Sequence, residues 1–509
     1  MREGLADVAQ QRNCLPRSRG EREDARRVTA RSLCSKVAIG ACVSLLTACA
    51  KDTALPRSAD DPFLAEFAGA LQRDAHPSGP VRVFEIEAKP AEIMVAGNRT
   101  RVWAYNGQIP GPTLRLKLGE TLRVTFTNRL PQETTIHRHG VRVPNAMDGV
   151  PHLTQPPMQP GESFVYEFTP KDAGTFWYHP HVRSSEQVER GLYGVLIVDD
   201  PNPPPYTRDV TWVIDDWLLD ASGQIVEAFN TPHELAHDGR WGNRITVNGR
   251  TDEVLRVGSG ERIRLRLLNT ANGRVFIPDF GALAPTLIAV DGRLLARPIA
   301  FRGYELAPGN RADLDITFAA ATSARYVVVD RFSERRTNAL AQIDVDGIGP
   351  QAAAFDSPAN ARVPAGSPGP RRRSPVSFGS TRAAADRSAS NGPSTSRPLQ
   401  ATIIPRLRRW SSVTASFTGF DSRTSPPGST LSIHGMFFRL LGREGRAVDE
   451  PFLRDTVLIH GRETIDIGVV PLDPGRWMMH CHILEHAEAG MMTTLEVRSA
   501  TSAGAATRL

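Results

Sequence analysis

The run His480-Cys481-His482, followed by His486 and Met491, constrains this chain more than any other stretch. In an extended segment successive side chains point to opposite faces. Cys481 then faces one way while His480 and His482 face the other, so one strand can serve two metal sites. A thiolate, a histidine and a methionine make the soft, mixed donor set of an electron-transfer copper site. The two imidazoles on the opposite face suit a second centre, and an electron arriving at Cys481 has a short covalent route to it.

Two more pairs repeat the device. His137-Arg138-His139 follows the alternating Leu122, Val124 and Phe126, which puts both imidazoles on one face. His179-Pro180-His181 follows Phe176-Trp177-Tyr178, and the proline, lacking a backbone donor, marks a strand end or edge. A single His-x-His pair reads more simply as hydrogen-bonded structural histidines. Here eight of the 13 histidines fall in three such pairs, at His434 or at His486, which is a metal-binding pattern.

These residues resemble the multicopper oxidases of the three-domain, laccase-like bacterial kind. The resembling text includes Tyr105-Asn106-Gly107-Gln108-Ile109-Pro110-Gly111-Pro112-Thr113, Thr135-Ile136-His137-Arg138-His139-Gly140 and Asn145-Ala146-Met147-Asp148-Gly149-Val150-Pro151. It continues with Thr175 to His181 and with Trp477-Met478-Met479-His480-Cys481-His482-Ile483-Leu484-Glu485-His486. The resemblance implies an all-β chain of three tandem cupredoxin-like β-sandwich domains of Greek-key topology. It implies four copper ions. Cys481, His486 and Met491 would belong to type 1 copper, and His139, His179, His181, His434, His480 and His482 to the type 3 pair. His137 would serve type 2 copper. Single electrons from a reducing substrate would pass through Cys481 to the cluster, where dioxygen becomes water.

Three departures stand out. Where the family reads His-Pro-x-His-x-His-Gly, this chain reads Ser429-Thr430-Leu431-Ser432-Ile433-His434-Gly435. Ser429 stands where a type 1 histidine belongs and Ser432 where a type 2 histidine belongs, and a hydroxyl is a poor copper ligand beside imidazole. The acid often found just after the type 1 histidine is Ala487 here, with Glu488 next to it. Asp148, the other acid expected near the cluster, is present.

A length of 509 residues is ample for several domains, and 39 prolines and 42 glycines suit a turn-rich β protein. The net charge of +6 is small for this length and no nucleic-acid motif accompanies it. Arg26, Arg27, Arg31 and Lys36 precede the apolar run Val37 to Leu46, the pattern of an export signal too short for a membrane span. Leu46-Thr47-Ala48-Cys49 resembles a lipobox, so Cys49 is expected to carry lipid and anchor the mature chain to the periplasmic or cell-envelope side of a membrane. Cleavage there leaves Cys49 and Cys481, so no internal disulfide is expected, and copper ligation gives the lone thiol a use.

An internal repeat supports duplicated sandwiches. Leu114 to Asn128 recurs as Leu255 to Asn269, each copy reading as two strands joined by a Gly-Glu turn. The first copy leads into His137 and His139, whereas the second leads to no histidine pair, so the second domain reads as a copper-free spacer. No third copy is found before His434. The sequence therefore divides into a leader (1–49), a linker (50–80), a first domain (81–202), a second (203–348), an anomalous Arg/Ser/Pro-rich segment (349–432) and the C-terminal part of a third domain (433–498). The anomalous segment reads as a disordered linker, an inserted loop or out-of-frame translation. The last is preferred, because a linker joins domains rather than replacing half of one. Ser-Thr-Leu-Ser can be encoded TCC ACC CTC TCC, and starting two bases later with AT following gives His-Pro-Leu-His.

The leading function is an exported copper oxidase using dioxygen and a phenol, an aromatic amine or a metal ion. A copper-poor, inactive cupredoxin scaffold that binds or supports other components is the alternative, favoured by Ser429 and Ser432. A third reading is a chain that misfolds for want of half a sandwich. The absence of a methionine-rich insert argues weakly against a dedicated cuprous oxidase, and Met492 reads as core. His152, His233, His237 and His460 read as surface or structural residues, Trp212 and Trp217 as core, and Asp215 and Asp216 as structural.

Overall fold

A computed structural model describes residues 76–319, 323–333, 337–363, 377–378, 406–408, 413–418, 428–469 and 471–498. The leader and Cys49 lie outside the described residues, as does most of the anomalous segment. Six sheets pair into three sandwiches, and the fold is all-β with short helices at the ends of strands.

In the first sandwich one sheet carries Asn98–Tyr105, Val81–Val95, Thr121–Asn128 and Ser163–Phe168, and the other carries Gly111–Lys117, Gly194–Asp199, Gly174–His179 and His137–His139. Alternation does the work: Leu122, Val124 and Phe126 are buried while Arg123 between them is exposed. The repeated Gly-Glu motif proves to be a corner between sheets rather than a hairpin. Gly111–Lys117 and Thr121–Asn128 belong to opposite sheets, as do Val254–Ser259 and Arg262–Asn269. Glu120 accepts from the Lys117 N–H at 2.7 Å and Glu261 from the Gly258 N–H at 2.7 Å, so the glutamate closes its own corner. Gly119 and Gly260 supply the positive φ of 93° and 90° that the corner needs.

The third copy of this unit, missing from the sequence pattern, has its place in the topology. Arg406–Arg408 runs parallel to Met492–Arg498, as Gly111–Lys117 does to Gly194–Asp199. Val413–Thr418 pairs antiparallel with Thr464–Val469, as Thr121–Asn128 does with Ser163–Phe168. The next strand, Ser429–Ile433, is buried throughout and opens four residues ahead of the boundary drawn at 433. Composition hid these strands because pairing partners, not local pattern, define them.

Each sandwich has an apolar core, and a fourth cluster joins all three. Trp177, Tyr193 and Val195 from the first sandwich meet Val213, Trp217 and Leu268 from the second and Leu484 from the third. Trp212 and Trp217 are core as expected. Met492 is not: it is 38% exposed on the wall of a surface cavity, because it faces His480 across the Gly475–Cys481 and Met492–Arg498 pair.

Candidate metal centre

The His137–His139 strand lies antiparallel to Gly174–His179, with His137 opposite His179. Ser429–Ile433 runs between Thr456–Ile459 and Gly475–Cys481, placing Ser432 opposite His480 and Leu431 opposite Cys481. His434 follows at a turn. Gly435 there has φ of 67°, and a Cβ at that position would come within 2.3 Å of the Trp477 ring.

Imidazoles from the first and third sandwiches gather across their seam into two triads. His139, His179 and His482 have ring centres 4.8 to 5.9 Å apart. His181, His434 and His480 have ring centres 4.9 to 5.2 Å apart. His137 stacks on His434 at 3.9 Å and lies 4.9 Å from His181, beside both groups.

Hydrogen bonds fix how these rings point. His137 Nδ1 donates to the Asp148 carbonyl at 2.7 Å, His179 Nδ1 to the Pro180 carbonyl at 3.0 Å and His480 Nδ1 to the Cys481 carbonyl at 2.9 Å. His434 Nδ1 donates to Asp148 Oδ2 at 2.9 Å and His139 Nε2 to Asp455 Oδ1 at 3.1 Å. In each case the proton sits on the bonded nitrogen, and the other nitrogen keeps its lone pair. His137 Nε2, His139 Nδ1, His179 Nε2, His181 Nε2 and both nitrogens of His482 have no hydrogen-bond partner despite burial. His434 Nε2 and His480 Nε2 face each other at 3.1 Å. Only a cation, a proton or a metal ion, can sit between two such lone pairs.

Burial, reinforced by neighbouring imidazoles, pushes His137 down to about 4 and His482 down to about 3. The same causes hold His139, His179, His181 and His480 well below the usual histidine range. These rings are therefore neutral, the form that ligates. Burial alone would raise Asp148, but His434 and His137 beside it hold its carboxyl far below the usual range. Asp148 thus lies against both His137 and His434.

No local pattern in the sequence marks the groups behind His139. Its Nε2 meets Thr456 Oγ1 at 3.0 Å as well as Asp455. Arg311, from the second sandwich, donates to Asp455 Oδ1 at 2.9 Å, and Asp291 accepts from the Asp455 and Thr456 N–H groups at 3.2 Å. The second sandwich therefore braces a histidine of the centre, through contacts that no local pattern announces.

On the other face of its strand, Cys481 is buried and is the free cysteine among the described residues. His486 Nδ1 lies 3.5 Å from its sulfur, and the Thr430 N–H reaches that sulfur at 3.3 Å. Burial pushes the Cys481 thiol up to about 11, opposed by the Thr430 N–H. The Ser429 hydroxyl bonds the same sulfur and lies 4.0 Å from Met491 Sδ. Ser429 thus lies beside both the Cys481 and the Met491 sulfurs. Ser432 accepts from Thr456 Oγ1 at 3.3 Å.

A cavity of about 460 Å³ opens from the surface to His181 and His480, with Met478, Met492 and Glu488 on its wall. Burial raises Glu488, whose Oε1 accepts from the Ser184 hydroxyl at 3.4 Å. His152 and His460 are exposed, the latter 3.2 Å from Glu305. Asp216 pairs with Arg274 at 2.6 Å and Asp215 bonds Tyr193, both structural roles.

Comparison with known proteins carries the same message. Two family models, both described as multicopper oxidase, match this chain, one over residues 87–203 and the other over 423–501. A solved multi-copper oxidase from Pseudomonas thermotolerans is 30% identical, with a TM-score of 0.70, covering 83% of this chain and 100% of that one. The chain belongs to the multicopper oxidase family. This oxidase is also similar to that of Pseudomonas parafulva, at 30% identity and a TM-score of 0.65 over 82% of this chain and 100% of the other. Multicopper oxidase MmcO of Mycobacterium tuberculosis is 28% identical over 82% of this chain and 88% of its own length. Copper is the metal such oxidases use, and the donor set fits it: neutral imidazoles in two triads, with a thiolate-imidazole-thioether group behind.

Proposed function

We propose that this oxidase is exported, takes single electrons from phenols, aromatic amines or metal ions on the Cys481 side, and passes them to dioxygen at the histidine cluster. The observation that carries this is the gathering of seven imidazoles at one seam, with donor nitrogens of His137, His181 and His434, and again of His137, His139 and His179, within 4.8 Å of one another, and His434 Nε2 facing His480 Nε2 at 3.1 Å. His139, His179 and His482 would hold one copper of a pair, and His181, His434 and His480 the other. His137 would contribute to a third ion, and Cys481, His486 and Met491 to a fourth. Bound copper supplies one-electron transfer and a site at which dioxygen is reduced to water. Export and anchoring rest on the basic and apolar run before Cys49.

The protein's own part in the chemistry is orientation and proton supply. Asp148 keeps the protons of His137 and His434 on Nδ1, and Asp455 keeps that of His139 on Nε2. Glu488, half-sunk in the cavity wall with burial raising its pKa, can hold a proton beside the route to His181 and His480. The Cys481 backbone links the sulfur to His480 and His482 on the opposite face.

Ser429 and Ser432 favour a second reading, in which the unaltered chain is copper-poor. A hydroxyl replaces imidazole beside Cys481, and another leaves His137 as the lone histidine for its ion. Copper counting decides between them. On the second reading, reconstituted protein carries a magnetically coupled, EPR-silent copper pair at the triads and is deficient at the other two positions, whereas on the first all four positions fill. Ser429→His with Ser432→His is expected to add the blue absorption and turnover. An unaltered chain with no copper at the triads would sink the oxidase reading. One already blue and fully loaded would sink the copper-poor reading.

A further inference from the structure

We infer that Arg138 is a tuning charge for the histidine centre: a permanent buried cation, on the reverse face of the strand that carries His137 and His139, that favours the cuprous state of copper held at the triads. This deepens the proposed oxidase function by adding a residue that governs how readily the centre accepts electrons. It rests on that reading in requiring copper at the triads, though not in requiring turnover.

Arg138 stands apart from the other buried arginines. Among the described residues, five of the six that are fully buried pair with a carboxylate: Arg142 with Asp172, Arg240 with Glu189, Arg266 with Asp209, Arg311 with Asp455 and Arg439 with Asp449. Arg138 is the sixth, and its partners are neutral. Its Nη1 donates to the Ile136 carbonyl at 2.7 Å and its Nη2 to the Met147 carbonyl, and the guanidinium lies 3.9 Å over the Tyr166 ring. Tyr166 brings no compensating charge. Its hydroxyl donates to Gln155 at 2.8 Å, and burial holds this phenol, like that of Tyr105, above its usual range. Burial works against the guanidinium as well, but arginine keeps its proton inside proteins. A buried cation without an ion-pair partner costs stability that an apolar side chain would not, and such departures gather at functional sites.

Its place in the strand says what the charge acts on. In the ladder His137 lies opposite His179, Arg138 opposite Tyr178 and His139 opposite Trp177. Alternation turns the two imidazoles to the seam and Arg138 into the core of the first sandwich, 5.4 Å from the Phe168 ring centre. Side chains on opposite faces of one strand put the guanidinium on the order of 10 Å from an ion at the imidazole lone pairs. At an effective dielectric of about 20, a unit charge that far away shifts a one-electron equilibrium by about ten-fold. A nearby cation disfavours the more positive, cupric state. Asp148 acts with the opposite sign: its carboxylate accepts from His434 Nδ1 at 2.9 Å and attracts Arg138. The carboxylate that fixes imidazole protons therefore also favours cupric copper, and Arg138 offsets that pull while leaving the tautomers set.

The test is an anaerobic redox titration of the copper-loaded full chain beside Arg138→Gln, Arg138→Met and Arg138→Lys, following the coupled copper pair by its absorption. In the two neutral variants the pair's reduction is expected to become about ten-fold less favourable, about 59 mV for a one-electron couple. Arg138→Lys keeps the charge without the guanidinium fork and is expected to stay within about three-fold of the parent. Azide affinity of the oxidised pair should fall by about ten-fold in the neutral variants alone, since the same field draws an anion. Equal potentials in all four proteins would overturn the tuning role. So would a shift in Arg138→Lys as large as in Arg138→Gln, because shape rather than charge would then be responsible. Failure of both neutral variants to fold, read by circular dichroism, would make Arg138 a structural support and overturn it too. A parent with no copper at the triads would sink the oxidase reading and this inference together, whereas a loaded parent with unshifted variants sinks the inference alone.

Discussion

The Asp148 carboxylate accepts from His434 Nδ1 at 2.9 Å, and its backbone carbonyl accepts from His137 Nδ1 at 2.7 Å, so one residue sets the tautomer of two histidines. Asp148→Asn puts an amide where the carboxylate was, and an amide N–H turned toward His434 Nδ1 would move that ring's proton onto Nε2. Copper held by His181, His434 and His480 should then weaken by roughly ten- to a hundred-fold, measured as copper retained after dialysis against a chelator. Retention equal to the parent would show that Asp148 does not set the tautomer. At Cys481 the expectation is more severe. Cys481→Ser, made in the chain with histidine at 429 and 432, should remove the blue absorption and cut oxygen uptake by roughly a hundred-fold or more, because the thiolate is both ligand and conduit. Surviving blue colour would place that copper elsewhere.

At the scale of elements, the strand Ser429–Ile433 and the turn after it decide whether His434 arrives at the seam. Gly435 holds φ of 67° with the Trp477 ring 2.3 Å from where a Cβ would sit. Gly435→Ala should therefore cost about 2 to 4 kcal/mol through left-handed strain and overpacking. Urea unfolding of the copper-free protein reads this, and an unchanged midpoint would mean that the turn relaxes freely. The Gly-Glu corners show how much of this level the sequence carried. Their strands and turn residues were legible because alternation and a glycine-glutamate pair are local signals. That the two strands enter opposite sheets was not, because the corner resembles a hairpin until its partners are known. Met492 was misread as core for the same reason: its exposure depends on a cavity formed with residues far away in the chain.

Across the whole molecule, buried ion pairs tie the sandwiches together. Asp172 accepts from Arg142 at 2.6 and 2.8 Å and from Arg293 of the second sandwich at 2.6 Å, and the Arg293 guanidinium lies 4.7 Å over Phe437 of the third. Burial alone would raise the Asp172 carboxyl, but the two arginines win and hold it down to about 2. A carboxyl depressed in the folded state adds stability that is complete above its unfolded pKa near 4 and is lost as pH falls toward 2. The shift corresponds to about 2 kcal/mol. Asp172→Asn should flatten the stability profile in that window and, by leaving Arg142 and Arg293 buried with less compensation, cost about 3 kcal/mol near neutrality. A profile parallel to the parent's would show that other carboxyls dominate there.

The sequence by itself determined the chemistry: which residues can ligate, that Cys481 and its flanking histidines face opposite ways, and that Ser429 and Ser432 stand where imidazoles are expected. Those properties follow from side-chain identity and a two-residue period, which act within one strand. Only the tertiary structure decided that seven imidazoles from two sandwiches converge, that Asp455, Arg311 and Asp291 brace them, and that His237 touches His486. His139 meets Asp455 across 316 positions and His486 meets His237 across 249. Contacts so distant along the chain are fixed by how whole sandwiches dock, through buried area and paired charge summed over many residues, and no short stretch of sequence carries that sum.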